Sequence, residues 1–156
     1  MPTRCIKTTL FTLIVTEQDG AIVLARFAGD NDPALPCADD TPLLRQAEQE
    51  LTAYANGTLT RFTLPVAPTG TAFMRQVWAQ LQAIPYGLTR TYGEVAALCG
   101  SPRAARAVGG ACNRNPIAVL IPCHRVIGSN GALTGFAAGL NTKDTLLRLE
   151  RDGQAR

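Results

Sequence analysis

Two apolar runs flank a short polar segment in the first third of the chain, a pattern that is typical of a β-hairpin. Between residues 11 and 27, runs rich in Thr, Ile and Val flank the polar sequence Glu17-Gln18-Asp19-Gly20, which ends in a turn-forming Asp-Gly pair. We expect a helix from about residue 42 to 55, ended by Asn56-Gly57, and then a strand around residues 61–66. Together these elements predict a small α/β unit.

In the second half, apolar residues recur at helical spacing. Phe73, Val77, Leu81 and Ile84 recur on one helix face, which predicts a helix from about residue 71 to 83. The sequence Pro85-Tyr86-Gly87 is expected to end it.

Two short helices are predicted next. Thr91-Tyr92-Gly93-Glu94 has the Ser/Thr-x-x-Glu pattern of a capping box, so a helix should begin after Thr91 and end at residue 98 or 99. Gly100 can close it in the left-handed conformation. Ser101 is expected to cap a second helix that has Pro102 at its first position. A turn of about three residues between two helices is helix-turn-helix spacing.

The second of these helices has two different faces. An apolar stripe is formed by Ala104, Ala107, Val108 and Ala111, and another face carries Arg103, Arg106, Gly110 and Asn113. A face with guanidinium groups between small residues can approach a nucleic-acid groove closely. The same spacing equally fits a solvated face in an ordinary helical hairpin.

Candidate chemistry lies after a short apolar run. Residues 117–121 predict a buried strand that ends at Pro122, directly before Cys123, His124 and Arg125. A thiolate is the reactive form of cysteine, so a buried Cys123 needs a base, and His124 is the only histidine. Neighbouring side chains of a strand point to opposite faces, so a bridging water is the simpler proton route unless the backbone bends at Pro122. A buried, inert cysteine is the alternative that spacing alone leaves open.

Composition limits the class of protein. A chain of 156 residues that is 46% hydrophobic can form one domain or two small ones. No run approaches the roughly 18 apolar residues of a membrane helix, so we expect a cytoplasmic protein without membrane contact. Five cysteines without a CxxC pair, and a single histidine, argue against disulfides and a zinc site. We therefore expect neither a metal nor a cofactor.

Charge divides the chain near residue 67, where Pro65, Pro68 and Gly70 interrupt regular structure. Residues 1–67 carry five basic and eight acidic side chains, and residues 68–156 carry ten and four. We predict an N-terminal α/β domain over 1–67. A mainly helical C-terminal domain over 68–156 should contain the helix-turn-helix and a short wing hairpin. The basic half is the one suited to a polyanion.

The sequence Ile121-Pro122-Cys123-His124-Arg125-Val126 resembles the active-site signature of the O6-alkylguanine-DNA alkyltransferases, also called methylated-DNA-protein-cysteine methyltransferases. The resemblance continues upstream through Arg103-Ala104-Ala105-Arg106-Ala107-Val108-Gly109-Gly110-Ala111 and covers nearly all of residues 71–150. The first half is similar only in layout, as a small α/β domain before the catalytic one.

This resemblance implies a direct-reversal DNA repair enzyme that works once per chain. The alkyl group of an O6-alkylguanine in double-stranded DNA would pass to Cys123 after base flipping, with O4-alkylthymine as an open second substrate. His124 would take the thiol proton through water, and Glu150 would hold His124. Asn115 would brace the turn, and Tyr92 would donate a hydrogen bond to the leaving guanine.

The resemblance also implies a base pocket and a DNA face. Arg106 would enter the base stack from the minor groove. The pocket would consist of Tyr92, Cys123, Val126, Phe136 and Ala137, closed by the 135–138 loop. Further DNA contacts are implied for Arg103, Ala107, Gly109, Gly110, Ala111, Tyr92 and Ser129. Phe136-Ala137 replaces the Tyr-Ser of many members, so one hydroxyl contact to the base is absent. We expect a monomer in solution, and clustering on DNA stays open.

Two other functions compete with this interpretation. One is a helix-turn-helix regulator without chemistry, including lesion sensors that resemble alkyltransferases but lack the cysteine. The other is a Cys-His hydrolase of small molecules, which would regain its thiol after each reaction.

Overall fold

The computed structural model describes residues 1–29, 39–132, 136 and 139–154. The chain forms two compact units, one from Met1–Pro68 with Pro116–Leu120 and one from Thr69–Asn115 with Ile121–Arg156. Residues 116–120 therefore belong with the first unit, whereas the predicted boundary near residue 67 puts them in the C-terminal domain. The reason is backbone pairing, since Ala25 donates to the Pro116 carbonyl at 2.9 Å and accepts from the Ala118 amide at 2.8 Å.

The first unit contains a three-stranded antiparallel sheet in the order β1 (Thr3–Lys7), β2 (Thr12–Gln18), β3 (Ala21–Phe27). The predicted hairpin is confirmed. Asp19 and Gly20 both have positive φ, at 52° and 81°, as the tight turn of a twisted hairpin requires. Strand β1 was not expected from the pattern because only one of its five side chains, Ile6, is buried.

Helix α1 (Pro42–Ala55) has the predicted bounds and packs beside this sheet. Thr41 caps it by accepting a hydrogen bond from the Leu44 amide at 3.1 Å. The predicted strand over 61–66 is wrong and is reduced to one bridge between Ile22 and Val66. The amide of Thr63 donates to Glu50 on α1 at 2.7 Å instead of to a strand, and Pro65 has no amide hydrogen to donate.

The second unit is mainly helical. Its elements are α2 (Ala72–Gln82), β4 (Arg90–Thr91), α3 (Tyr92–Leu98), α4 (Ala105–Asn113), a 3₁₀ turn (Cys123–Arg125), β5 (Val126–Ile127) and α5 (Leu140–Gln154). The buried face of α2 includes Trp78, whose indole N–H donates to the Ala111 carbonyl on α4 at 2.9 Å. No helix in the described ranges is long and apolar enough to span a membrane.

The helix-turn-helix is present, with a longer turn than predicted. Thr91 and Glu94 form the expected capping box at the start of α3. Gly100 ends the helix at φ 77°, and the Ser101 amide donates back to the Ala96 carbonyl at 2.9 Å. Because Ser101 also starts a separate turn that the Ala104 amide closes, α4 begins at Ala105 and not at Pro102.

Of two predictions around residues 117–131, one is wrong and the other lies partly outside the described residues. The strand at 117–121 is absent, because Val119 adopts φ 69° inside a tight turn that the Leu120 amide closes onto the Ala118 carbonyl. In the predicted wing, β5 pairs in parallel with β4, and the residues after it form a turn closed between Gly128 and Ala132. A returning wing strand would fall on residues 133–135, which lie outside the described residues.

Candidate active site

Pro122 bends the chain immediately before the candidate nucleophile. Its φ of −81° and ψ of 66° form an inverse γ-turn, in which the Cys123 amide donates to the Ile121 carbonyl at 2.8 Å. The Arg125 amide then donates to the Pro122 carbonyl at 3.0 Å and closes the 3₁₀ turn. Cys123 and His124 therefore lie in a turn and do not follow the strand that the sequence predicts.

Cys123 is only 8% exposed, and opposing effects act on the pKa of its thiol. Burial raises the pKa of Cys123, while a side-chain hydrogen bond from Asn115 and the charge of Lys143 lower it. Asn115 also donates to the Ile121 carbonyl at 2.8 Å, so it contacts both the backbone before Pro122 and the Cys123 side chain after it. This placement fits the bracing role that the resemblance implies for Asn115.

His124 is fully buried and lies against Glu150 of α5. Its Nε2 atom is 2.6 Å from Glu150 Oε2, the geometry of a charge-assisted hydrogen bond. Burial tends to raise the pKa of Glu150, but His124 and Arg125 together lower it to about 2. Glu150 is therefore ionised and accepts, so the proton of His124 resides on Nε2. Nδ1 has no hydrogen-bond partner within the described part of the chain.

Sequence reasoning missed Lys143. This side chain is fully buried, and its ammonium lies 5.8 Å from the centre of the Tyr92 ring. Burial lowers the pKa of Lys143, and the nearby Cys123 and Cys112 raise it. The signal available in the sequence is its position seven residues before Glu150, which puts both side chains on one face of a helix. The α5 helix was not predicted over residue 143.

The remaining pocket residues lie in the same unit. Tyr92 starts α3 and is half-buried, Val126 is buried and Phe136 is half-buried. Ala137 and most of the 135–138 loop lie outside the described residues, so their predicted roles are not located. Burial raises the pKa of Cys112, which lies near the thiol, to about 12. No group of three or more metal-binding side chains occurs in the described ranges.

The α4 helix departs from the predicted faces at Ala107 and from the implied DNA contacts at Ala111. Arg103, Arg106, Ala107 and Gly110 are exposed, and Gly109 is half-buried beside the Tyr92 ring. Ala107 thus lies on the exposed face and not in the apolar stripe. Ala111 is only 2% exposed because it packs inside the unit, so its predicted DNA contact is corrected to a core position. Ser129 is exposed in the turn after β5.

Comparison with known proteins decides the family. Residues 72–152 match the family described as 6-O-methylguanine DNA methyltransferase, DNA binding domain. A methylated-DNA-protein-cysteine methyltransferase of Methanosarcina acetivorans is 54% identical over 112 residues, covering 72% of this chain and 72% of that protein. The chain belongs to the methylated-DNA-protein-cysteine methyltransferase family.

Solved methyltransferase structures agree with the fold over both units. A Mycobacterium tuberculosis O6-methylguanine methyltransferase is 39% identical, with a TM-score of 0.86 over 96% of this chain and 92% of that one. The Mycobacterium tuberculosis OGT structure in complex with DNA is 40% identical, with a TM-score of 0.87 over 97% and 93%. The predicted class, an α/β domain followed by a mainly helical methyltransferase domain, is confirmed.

Proposed function

We propose that this protein repairs O6-alkylguanine in double-stranded DNA by moving the alkyl group onto Cys123. The observation that carries the proposal is the buried turn in which Cys123 precedes a histidine bound to an ionised Glu150 at 2.6 Å. This pairing orients a neutral imidazole beside the thiol and stabilises the imidazolium that forms when the thiol loses its proton.

The proposed reaction is a displacement at the alkyl carbon. The thiol proton passes to His124 Nδ1 through a water molecule, and the Cys123 thiolate forms a carbon–sulfur bond as the carbon–O6 bond breaks. The electron pair of that bond remains on the guanine, which Tyr92 stabilises with a hydrogen bond. A thioether has no internal route back to a thiol, so each chain reacts once.

The exposed face of α4 supports DNA as the partner. Arg106 is exposed one helical turn before Gly110, where an added Cβ would meet no atom within 4 Å, and Arg103 is exposed in the turn before α4. A thin basic face of this kind suits a narrow groove, with Arg106 occupying the place of the flipped base. The crystal structure of the Mycobacterium tuberculosis relative in complex with DNA is consistent with DNA as the partner. The monomeric state and the cytoplasmic location stay predictions from the sequence.

The two buried cysteines of the site region provide a matched test. Cys123→Ala should abolish removal of methyl groups from an O6-methylguanine duplex while leaving binding of that duplex intact, because only the nucleophile is lost. Cys112→Ala removes a thiol that is also buried, and it should retain transfer. Equal activity of Cys123→Ala and the unmodified protein, measured by chromatography of the digested oligonucleotide, would refute the proposal.

A further inference from the structure

Arg125 is a buried cation for which the alkyl-transfer chemistry above gives no role. The residue is 7% exposed, although arginine is seldom buried without partners. Its Nε and Nη2 atoms donate to Glu150 at 2.7 and 3.1 Å, and its Nη1 atom donates to the Ile84 carbonyl at 2.6 Å. This fork ties the 3₁₀ turn to α5 and to the segment after α2.

Glu150 is shared between Arg125 and His124. Its Oε2 atom lies 2.6 Å from His124 Nε2 and accepts from Arg125 Nη2 at 3.1 Å. Its Oε1 atom accepts from Arg125 Nε at 2.7 Å and from the Gly87 amide at 3.3 Å. A carboxylate with four donors around it is held in its charged form and in one orientation.

We propose that Arg125 is a positioning residue that holds Glu150 as a charged acceptor and, through its own charge, keeps His124 neutral and ready to take the Cys123 proton. This inference rests on the proposed transfer to Cys123. Three charged groups act on the ring, Glu150 and Lys143 from α5 and Arg125 from its own turn. Burial, Arg125 and Lys143 lower the pKa of His124, whereas Glu150 raises it. Loss of Arg125 therefore favours the imidazolium, which cannot accept the thiol proton.

The test is the pH dependence of a single-turnover reaction with free O6-benzylguanine, in which DNA affinity has no part. In Arg125→Met, the acidic limb of the rate profile should move to higher pH by about one unit or more, because an unopposed carboxylate stabilises the added proton. The shift is expected whether His124 or Glu150 holds that proton, since the pair titrates as a unit. Arg125→Lys keeps a charge without the planar fork, so it should bring the limb back towards its original position at a reduced rate.

Controls separate this role from a structural one. Arg148→Met removes an exposed arginine of α5 that pairs with Asp144 at 2.9 Å, and it should leave the limb unmoved. Because Arg125→Met leaves a buried carboxylate without its partner, thermal unfolding is measured for each variant. If Arg125→Met does not fold, the same pH profile is measured with Arg125→Gln, which is neutral but keeps an N–H donor.

The outcomes are distinct. A slower reaction with an unmoved limb in Arg125→Met or Arg125→Gln would overturn the inference and leave Arg125 a purely structural residue. No reaction of the unmodified protein at any pH would instead overturn the proposed function.

Discussion

Burial at Cys123 opposes the chemistry proposed for it. Removing a thiol from water raises its pKa and lowers the fraction of reactive thiolate at neutral pH. Asn115 and Lys143 offset part of this effect, and a base that acts during the reaction can offset the rest. Cys123, His124, Asn115 and Glu150 were identified from the sequence through family resemblance, whereas the spacing of Lys143 from Glu150 does not show that its charge acts on the thiol. That contribution depends on how α5 packs, which local patterns do not encode.

At the residue scale, we predict that Lys143→Met slows alkyl transfer. Loss of the buried ammonium should raise the pKa of Cys123 further, so the rate at neutral pH should fall by about tenfold for each pKa unit gained. The rate should recover as the pH rises and the thiol ionises. Single-turnover rates between neutral and alkaline pH measure this effect.

Lys7→Met is the matched control, because Lys7 is the only other lysine and is exposed in the first unit. An unchanged pH profile for Lys143→Met would show that the ammonium does not act on the thiol.

At the scale of elements, prediction succeeded where the signal was local. The Asp-Gly hairpin, the capping box and the glycine that ends α3 are each decided by a few neighbouring residues. It failed where backbone partners are distant in sequence. The strand expected at 117–121 is reduced to a bridge with the distant residue Ala25, because Val119 turns the chain directly after it. The strand expected at 61–66 gives its Thr63 amide to a helix side chain.

The α4 helix offers a prediction of its own. Gly110 faces open space, and glycine in a helix is destabilising by roughly 0.5–1 kcal/mol relative to alanine. Gly110→Leu should therefore raise the thermal unfolding temperature, yet slow repair of duplex DNA because the new side chain blocks close approach to a groove. Reaction with free O6-benzylguanine should be unchanged.

Gln49→Leu adds the same side chain to an exposed position of α1 in the first unit and should leave both reactions unaffected. Equal rates of duplex repair for Gly110→Leu and the unmodified protein would mean that this face of α4 does not contact DNA.

At the scale of the whole molecule, charge and chemistry occur in the same unit. The nine described basic residues beyond residue 67 share a unit with the buried thiol and the α4 face, while the acidic first half supplies the sheet and α1. The division into an acidic first half and a basic second half could be predicted from the sequence, because net charge does not depend on the fold. The place of residues 116–120 in the first unit could not be predicted from charge, since it depends on two backbone hydrogen bonds with Ala25.

The stoichiometry and site of alkyl transfer test the central claim most directly. With excess duplex containing O6-methylguanine, each chain should remove about one lesion, because the thioether formed at Cys123 is never resolved. Intact mass spectrometry should show one added methyl group, and peptide mapping should place it on Cys123. Several lesions removed per chain, binding without a change in mass, or a methyl group on Cys5, Cys37, Cys99 or Cys112 would contradict the account.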